Sequence, residues 1–268
     1  PWGYSVWLSL ANFVKTLNIK QDQFLVGKMF STETTGFYSM GTRLSSVLFT
    51  DTLGAALRVI SPSLRAYTAD KVELGKAYLH AQSLVTLVFL PLASVTSALA
   101  YPLIEFTLGN KWIEVTEVFR FLVLAVCLEA IGGVGLSVVV ATLNTRLAFL
   151  RDLVSIVIRA LCMGAGLYLG GFIGLLAGRA LSSVIDLLLY FTIAGKVTGL
   201  HIRKQLFLSW RTWLACALVY PFLYWIQTWP VMEIGDSKLH QAAGLFGLIL
   251  LGLLMQFVIQ GLLWRVSG

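Results

Sequence analysis

Between Leu10 and Arg65 the sequence sets ionisable and hydroxyl side chains inside stretches that are otherwise as apolar as lipid. At about 100° per residue, Asn12, Lys15, Asn18 and Asp22 fall within about a third of a helix circumference. Arg43, Ser46, Thr50, Asp51, Gly54, Arg58, Ser61 and Arg65 share one face of the next helix in the same way, with Val47 as the single large apolar intruder. The pattern returns downstream, as Asp152, Ser155 and Arg159 and then as Arg179, Ser182, Ser183 and Asp186. Arginine offers a planar fork of donors suited to phosphate oxygens, and lysine a mobile point charge. Carboxylates beside them neutralise them or hold a proton or cation. A charge at bilayer depth costs roughly 3 kcal/mol on insertion scales, so such stripes face a protein interior or a water-filled cavity. For the two downstream stripes an ion pair that merely neutralises itself is the competing explanation.

The elements that must position these residues are membrane helices. The chain is 57% hydrophobic and 12% charged, against about 45–50% and 25% in soluble domains. Apolar segments of spanning length, about 20 residues, lie near 4–30, 36–62, 79–107, 116–143, 148–169, 171–195, 206–228 and 242–265. The expected fold is therefore all-α and integral to the membrane, with about eight transmembrane helices. Continuous runs such as LVTLVFLPLA exclude the two-residue alternation of a membrane β-barrel. The third segment carries Pro91 and Pro102 and is expected to kink or bend at its end. Thr34 or Thr35 is the expected cap of the second helix.

The net charge of +7 suggests nucleic acid, but its distribution points elsewhere. Alternate connections hold Arg65, Lys71, Lys76, Arg146, Arg151, Lys196, Arg203, Lys204, Arg211 and Arg265, the others only Lys28, Lys111 and Lys238. That asymmetry is the positive-inside signal and places both ends of this chain in the cytoplasm. Trp112, Trp210, Trp213, Trp225, Trp229 and Trp264 crowd the segment ends, as interfacial aromatics do. Cys127, Cys162 and Cys216 sit singly in different apolar segments, at no metal-binding spacing, and are expected to be small buried hydrophobes. The connections are too short for a catalytic domain, and His80, His201 and His240 have no acid at motif spacing. No enzyme, cofactor or metal is read from these residues. Glu129 is expected as a lone neutral carboxyl against a neighbouring helix, or else a proton or cation site. The following GGVG at 132–135 is expected to permit close helix packing.

The succession NIKQDQFLVGKMF, TTGFYSMGTRLSSV, RVISPSLRAYTADK, LGNKW at 108–112, TLNTRLAFLRDLVSIVIRA at 142–160 and GGFIGLLAGRALSSVID at 170–186 resembles the Wzx-type polysaccharide flippases. These are the lipopolysaccharide and teichuronic acid exporters of the multidrug/oligosaccharidyl-lipid/polysaccharide exporter superfamily. The resemblance implies two six-helix bundles related by pseudo-symmetry. On that basis residues 1–197 would be the carboxy-terminal six-helix bundle and 198–268 a peripheral pair of further helices. The amino-terminal bundle would then be absent from a chain that begins at Pro1 without an initiator Met. It also implies export of a polyprenyl-diphosphate oligosaccharide across the bacterial cytoplasmic (inner) membrane by alternating access. Spans one, two, five and six would bound a hydrated, net-cationic groove. Lys15, Arg43, Arg58, Arg159 and Arg179 are the substrate-binding candidates, set against Asp22, Asp51, Asp152 and Asp186, of which Asp22, Asp51 and Asp186 are the cation-coupling candidates. The implied partners are the lipid-linked oligosaccharide, membrane lipids, the missing amino-terminal half, and polysaccharide polymerase or glycosyltransferase machinery, with no nucleic acid. A drug/cation antiporter of the same superfamily is the alternative, and a membrane glycan ligase, polymerase or O-acyltransferase a more distant one.

Overall fold

The computed structural model describes residues 2–227 and 238–267. Trp229 lies outside these residues, as do the side chains of Lys15, Lys238, His240 and Trp264. The described residues are almost entirely helical, with no strand among them. In order they form α1 (Trp2–Met29), α2 (Thr32–Ser45), a π-helical segment (Ser46–Asp51), α3 (Thr52–Arg65), α4 (Lys71–Ala98), α5 (Ala100–Leu108), α6 (Val115–Ala141), α7 (Thr145–Thr198), α8 (Ile202–Phe207), α9 (Trp210–Ile226) and α10 (Lys238–Ser267). Among these, Thr32–Arg65, Lys71–Ala98, Val115–Ala141, Thr145–Thr198 and Gln241–Leu263 are long and apolar enough to cross a membrane.

Local chemistry sets the boundaries. The second helix begins at Thr32 because Ser31, in extended conformation, accepts a hydrogen bond from Thr34 N–H at 3.2 Å. The cap is thus Ser31, not Thr34 or Thr35: a cap must stand outside the helix to reach back at N3, and both threonines are already inside it. Asp70 caps α4 through Val72 N–H at 2.8 Å. The bend foreseen near Pro102 falls at Leu99, whose φ of −94° and ψ of 23° separate α4 from α5. Pro102 has no N–H to give to the carbonyl four residues back, so the ladder opens there. Pro91 stays within α4.

The 54-residue α7 is two limbs, not one rod. Gly170 and Gly171 leave helical geometry, and Gly171 at φ 59°, ψ −136° occupies backbone space that side chains disfavour. The limbs, 145–169 and 172–198, fold back to back with glycine at the contact. A Cβ on Gly166 would strike the Gly174 carbonyl, and one on Gly178 would strike that of Cys162.

Helix α6 runs through the middle, touching α2, α3, α4, α5 and α7. Its GGVG packs tightly, as its composition suggested: a Cβ on Gly132 would enter the Tyr190 ring, and one on Gly135 would lie 3.2 Å from the Tyr190 carbonyl. Helices α9 and α10 pack on each other and on α4. Cys127 and Cys216 are buried in the apolar core, while Cys162 is only partly buried.

Candidate functional site

The charged stripes converge on one place. Asn18 and Asp22, one turn apart on α1, face the first limb of α7, where Asn18 donates to Ser155 Oγ at 3.0 Å. Arg159, on that limb, reaches three carboxylates on three segments: Asp22 at 3.6 Å, Asp186 of the second limb at 3.3 Å, and Glu129 of α6. Arg179 of the second limb pairs with Asp22 at 2.8 Å and Glu129 at 2.9 Å. Arg151 pairs with Asp152 at 2.8 Å and Asp186 at 3.3 Å, and its guanidinium stacks 3.6 Å from the centre of the Tyr190 ring. Ser183 donates to Glu129, and Tyr38 donates to Asp22 at 3.4 Å. Three guanidiniums are thus tied to four carboxylates in one buried cluster.

This cluster is the floor of a cavity of about 680 Å³, a volume typical of single-ligand sites. Its walls are α1, the α2–α3 segment, α6 and both limbs of α7. The lining extends from Asn18 and Tyr38 to Arg65 and Val140, that is, toward the ends of α3 and α6. In the other direction Val26, Tyr38, Leu122, Met163 and Leu175 form an apolar cluster, with Phe30 and Phe172 edge to face against it. Five guanidiniums (Arg58, Arg65, Arg151, Arg159, Arg179) and three carboxylates (Asp22, Glu129, Asp152) line the cavity, a net of +2.

Several expectations change here. Arg159 and Arg179 are each held by carboxylates, the ion pairing that the sequence set beside substrate binding as the competing explanation. Of the five arginines that line the cavity, Arg58 and Arg65 on α3 have no ion pair among the described residues. Glu129 is neither lone nor without partners. Arg151, expected in a cytoplasmic connection, is 7% exposed and part of the floor; it lies beside the Asp152–Ser155–Arg159 face, the one sequence signal of its place. The groove also takes a wall from α6, which the four stripes alone did not include. Asp186 is 1% exposed and lies beneath the lining, paired with Arg151 and Arg159. Lys15 lies on α1, its side chain outside the described residues.

Arg43 and Asp51 are exposed and do not line the cavity. The π segment is the reason. One extra residue in the turn shifts everything before it by about 100° relative to a continuous α-helix. Without it, Arg43 would stand on the axis of the face that carries Gly54, Arg58 and Ser61. With it, Thr42 takes that position, and Thr42, Ser46 and Thr50 do line the cavity. The single face drawn through Arg43 and Arg58 is therefore two faces joined at a phase break.

Among the described residues no group of three or more His, Cys, Asp or Glu is placed to hold a metal ion. The assembly is that of a multi-pass all-α membrane protein whose buried ion pairs open onto a cavity lined by both charged and apolar residues. Residues 2–117 match the model of a family described as "Polysaccharide biosynthesis protein". The matched stretch covers α1 to the start of α6, so it includes Asp22, Arg58 and Arg65 and ends before Glu129 and α7. None of the curated proteins compared with the chain matches it.

Proposed function

We propose that this chain moves a polyprenyl-diphosphate oligosaccharide across the bacterial cytoplasmic membrane as a flippase of the Wzx type, working by alternating access. The observation that carries the proposal is the cavity: a space of about 680 Å³ among long helices, net positive in its charged lining, with Arg58 and Arg65, free of ion pairs among the described residues, above a floor of paired arginines. A lipid-linked diphosphate needs a polar path for its headgroup while its tail stays in hydrocarbon. Arg58 and Arg65, seven residues and about 10 Å apart along α3, would meet the phosphates first, and Arg159 and Arg179 would hold them at the floor. The similarity of residues 2–117 to polysaccharide biosynthesis proteins supports this substrate class over others. In this reading 1–197 is a six-helix bundle and 198–268 a peripheral pair. Both chain ends are cytoplasmic, and the cavity opens on the basic, cytoplasmic side. Substrate transfer is the function, with no bond made or broken.

One observation favours the drug/cation antiporter: the floor alone holds one more carboxylate than guanidinium. The balance over the whole cavity is positive, which favours an anion. The test is export of lipid-linked glycan in a strain lacking its own flippase. Arg58→Glu should abolish complementation, while Arg43→Glu, outside the cavity, should preserve it. Complementation by Arg58→Glu at normal membrane levels would overturn the proposal.

A further inference from the structure

We infer that Glu129 is an exchangeable anion: its carboxylate occupies the place on Arg159 and Arg179 that a substrate phosphate takes, and it accepts a proton when displaced. The inference rests on the transport reading above, and it adds a residue and a proton count to it.

Three observations carry it. First, Glu129 bridges the two arginines of the floor, as a phosphate bridging the same guanidiniums would. Second, it differs from the other carboxylates of the cluster in exposure. The Glu129 side chain is 25% exposed, against 8% for Asp22, 7% for Asp152 and 1% for Asp186. An entering anion meets Glu129 before the rest. Third, the cluster is not saturated: Arg159 Nε and Asp22 Oδ1 are buried without a hydrogen-bond partner, so the guanidinium has a donor left for another acceptor.

The charge balance then fixes the proton. Counting Asp186 beneath the lining, the cavity and floor hold five guanidiniums and four carboxylates, a net of +1. A diphosphate diester brings a charge of −2 and leaves −1. One proton on the displaced Glu129 closes the account. The groups that face Glu129 fit this role. From α1 comes Asp22 and from α2 the Tyr38 hydroxyl. Arg151, Asp152 and Arg159 face it from the first limb of α7, and Arg179, Ser183, Asp186 and Tyr190 from the second. From α3 comes Arg58, across the cavity. With the two guanidiniums turned to phosphate, the displaced Glu129 carries the charge that the balance leaves uncompensated, and a proton on it restores neutrality. Binding therefore takes up a proton, and affinity falls as pH rises.

The test uses a short-chain prenyl-diphospho-N-acetylglucosamine, whose diester phosphates do not titrate near neutrality, with the full chain purified in detergent. Isothermal titration in buffers of different ionisation enthalpy gives affinity and proton uptake together. Wild type should take up about one proton per ligand, with affinity falling up to about tenfold per pH unit. Glu129→Gln should bind roughly tenfold or more tightly at pH 8, a coupling of ordinary size, without proton uptake. Ser183→Ala, which removes the hydroxyl that holds Glu129, should shift both readings part of the way, and it carries the test if Glu129→Gln does not fold. Equal affinity and equal proton uptake in wild type and variants, or weaker binding by the variants, overturns the exchange and leaves the transport reading standing. No binding by any of the three overturns both.

Discussion

Arg159 is the residue on which the buried cluster depends most, and its removal has a calculable cost. Its guanidinium is shared by Asp22, Glu129 and Asp186, and its own exposure is 4%. In Arg159→Met the volume is roughly kept, so the loss is mainly electrostatic. The cluster goes from three guanidiniums against four carboxylates to two against four. Removing one partner of a buried pair costs about 3–5 kcal/mol, because the remaining charge has neither water nor a counter-ion. At about 2–4 °C per kcal/mol for chains near this length, the thermal midpoint should fall by roughly 6–20 °C. Fluorescence-detected size-exclusion chromatography after a temperature series measures it directly. The internal standard is Arg58→Met, exposed and without an ion pair among the described residues, which should stay within about 0.5 kcal/mol. Asp22→Asn belongs between them, since it brings the cluster to three against three. If Arg159→Met melts within 2 °C of Arg58→Met, the three-carboxylate geometry is wrong.

Three further outcomes follow from the packing and the site. Gly174→Val places a side chain against the Gly166 carbonyl and should prevent the two limbs of α7 from closing, seen as loss of the monodisperse peak; Gly164→Val, with open space around it, should not. Gly132→Ala should lower stability by about 1–3 kcal/mol through overpacking against Tyr190, read in a thiol-reactive dye melt. In the export assay Asp22→Asn should reduce transport, while Asp51→Asn, exposed and outside the cavity, should transport at the wild-type rate; the reverse order would remove Asp22 from the mechanism.

The helices, and the polar faces of those without a phase break, were legible because both are local: long apolar runs fix the elements, and a 100° repeat fixes which residues share a side of an unbroken α-helix. The hairpin turn was visible as the Gly170–Gly171 boundary between two predicted segments. Partner choice was not legible. Asp22 and Arg179 are 157 residues apart, and nothing in either stripe says which opposing stripe it meets. Glu129 looked isolated for the same reason, since its partners lie on α7. Arg151 was misplaced because it stands near a segment end, where a buried charge and a loop charge have the same local sequence. The π segment, Ser46–Asp51, left no mark in composition.

That segment separates the charge of the cavity from the composition of its wall. Wound as one continuous α-helix, the same residues would present Arg43 in place of Thr42, and the lining would carry +3 instead of +2. Deleting one residue within 46–51 would remove the residue that the π turn absorbs, so a regular α-helix there would keep Thr42, not Arg43, on the cavity face. The electrostatic potential met by a substrate is thus a matter of helical phase, adjustable by a quarter-turn of α2 while α3 stays seated.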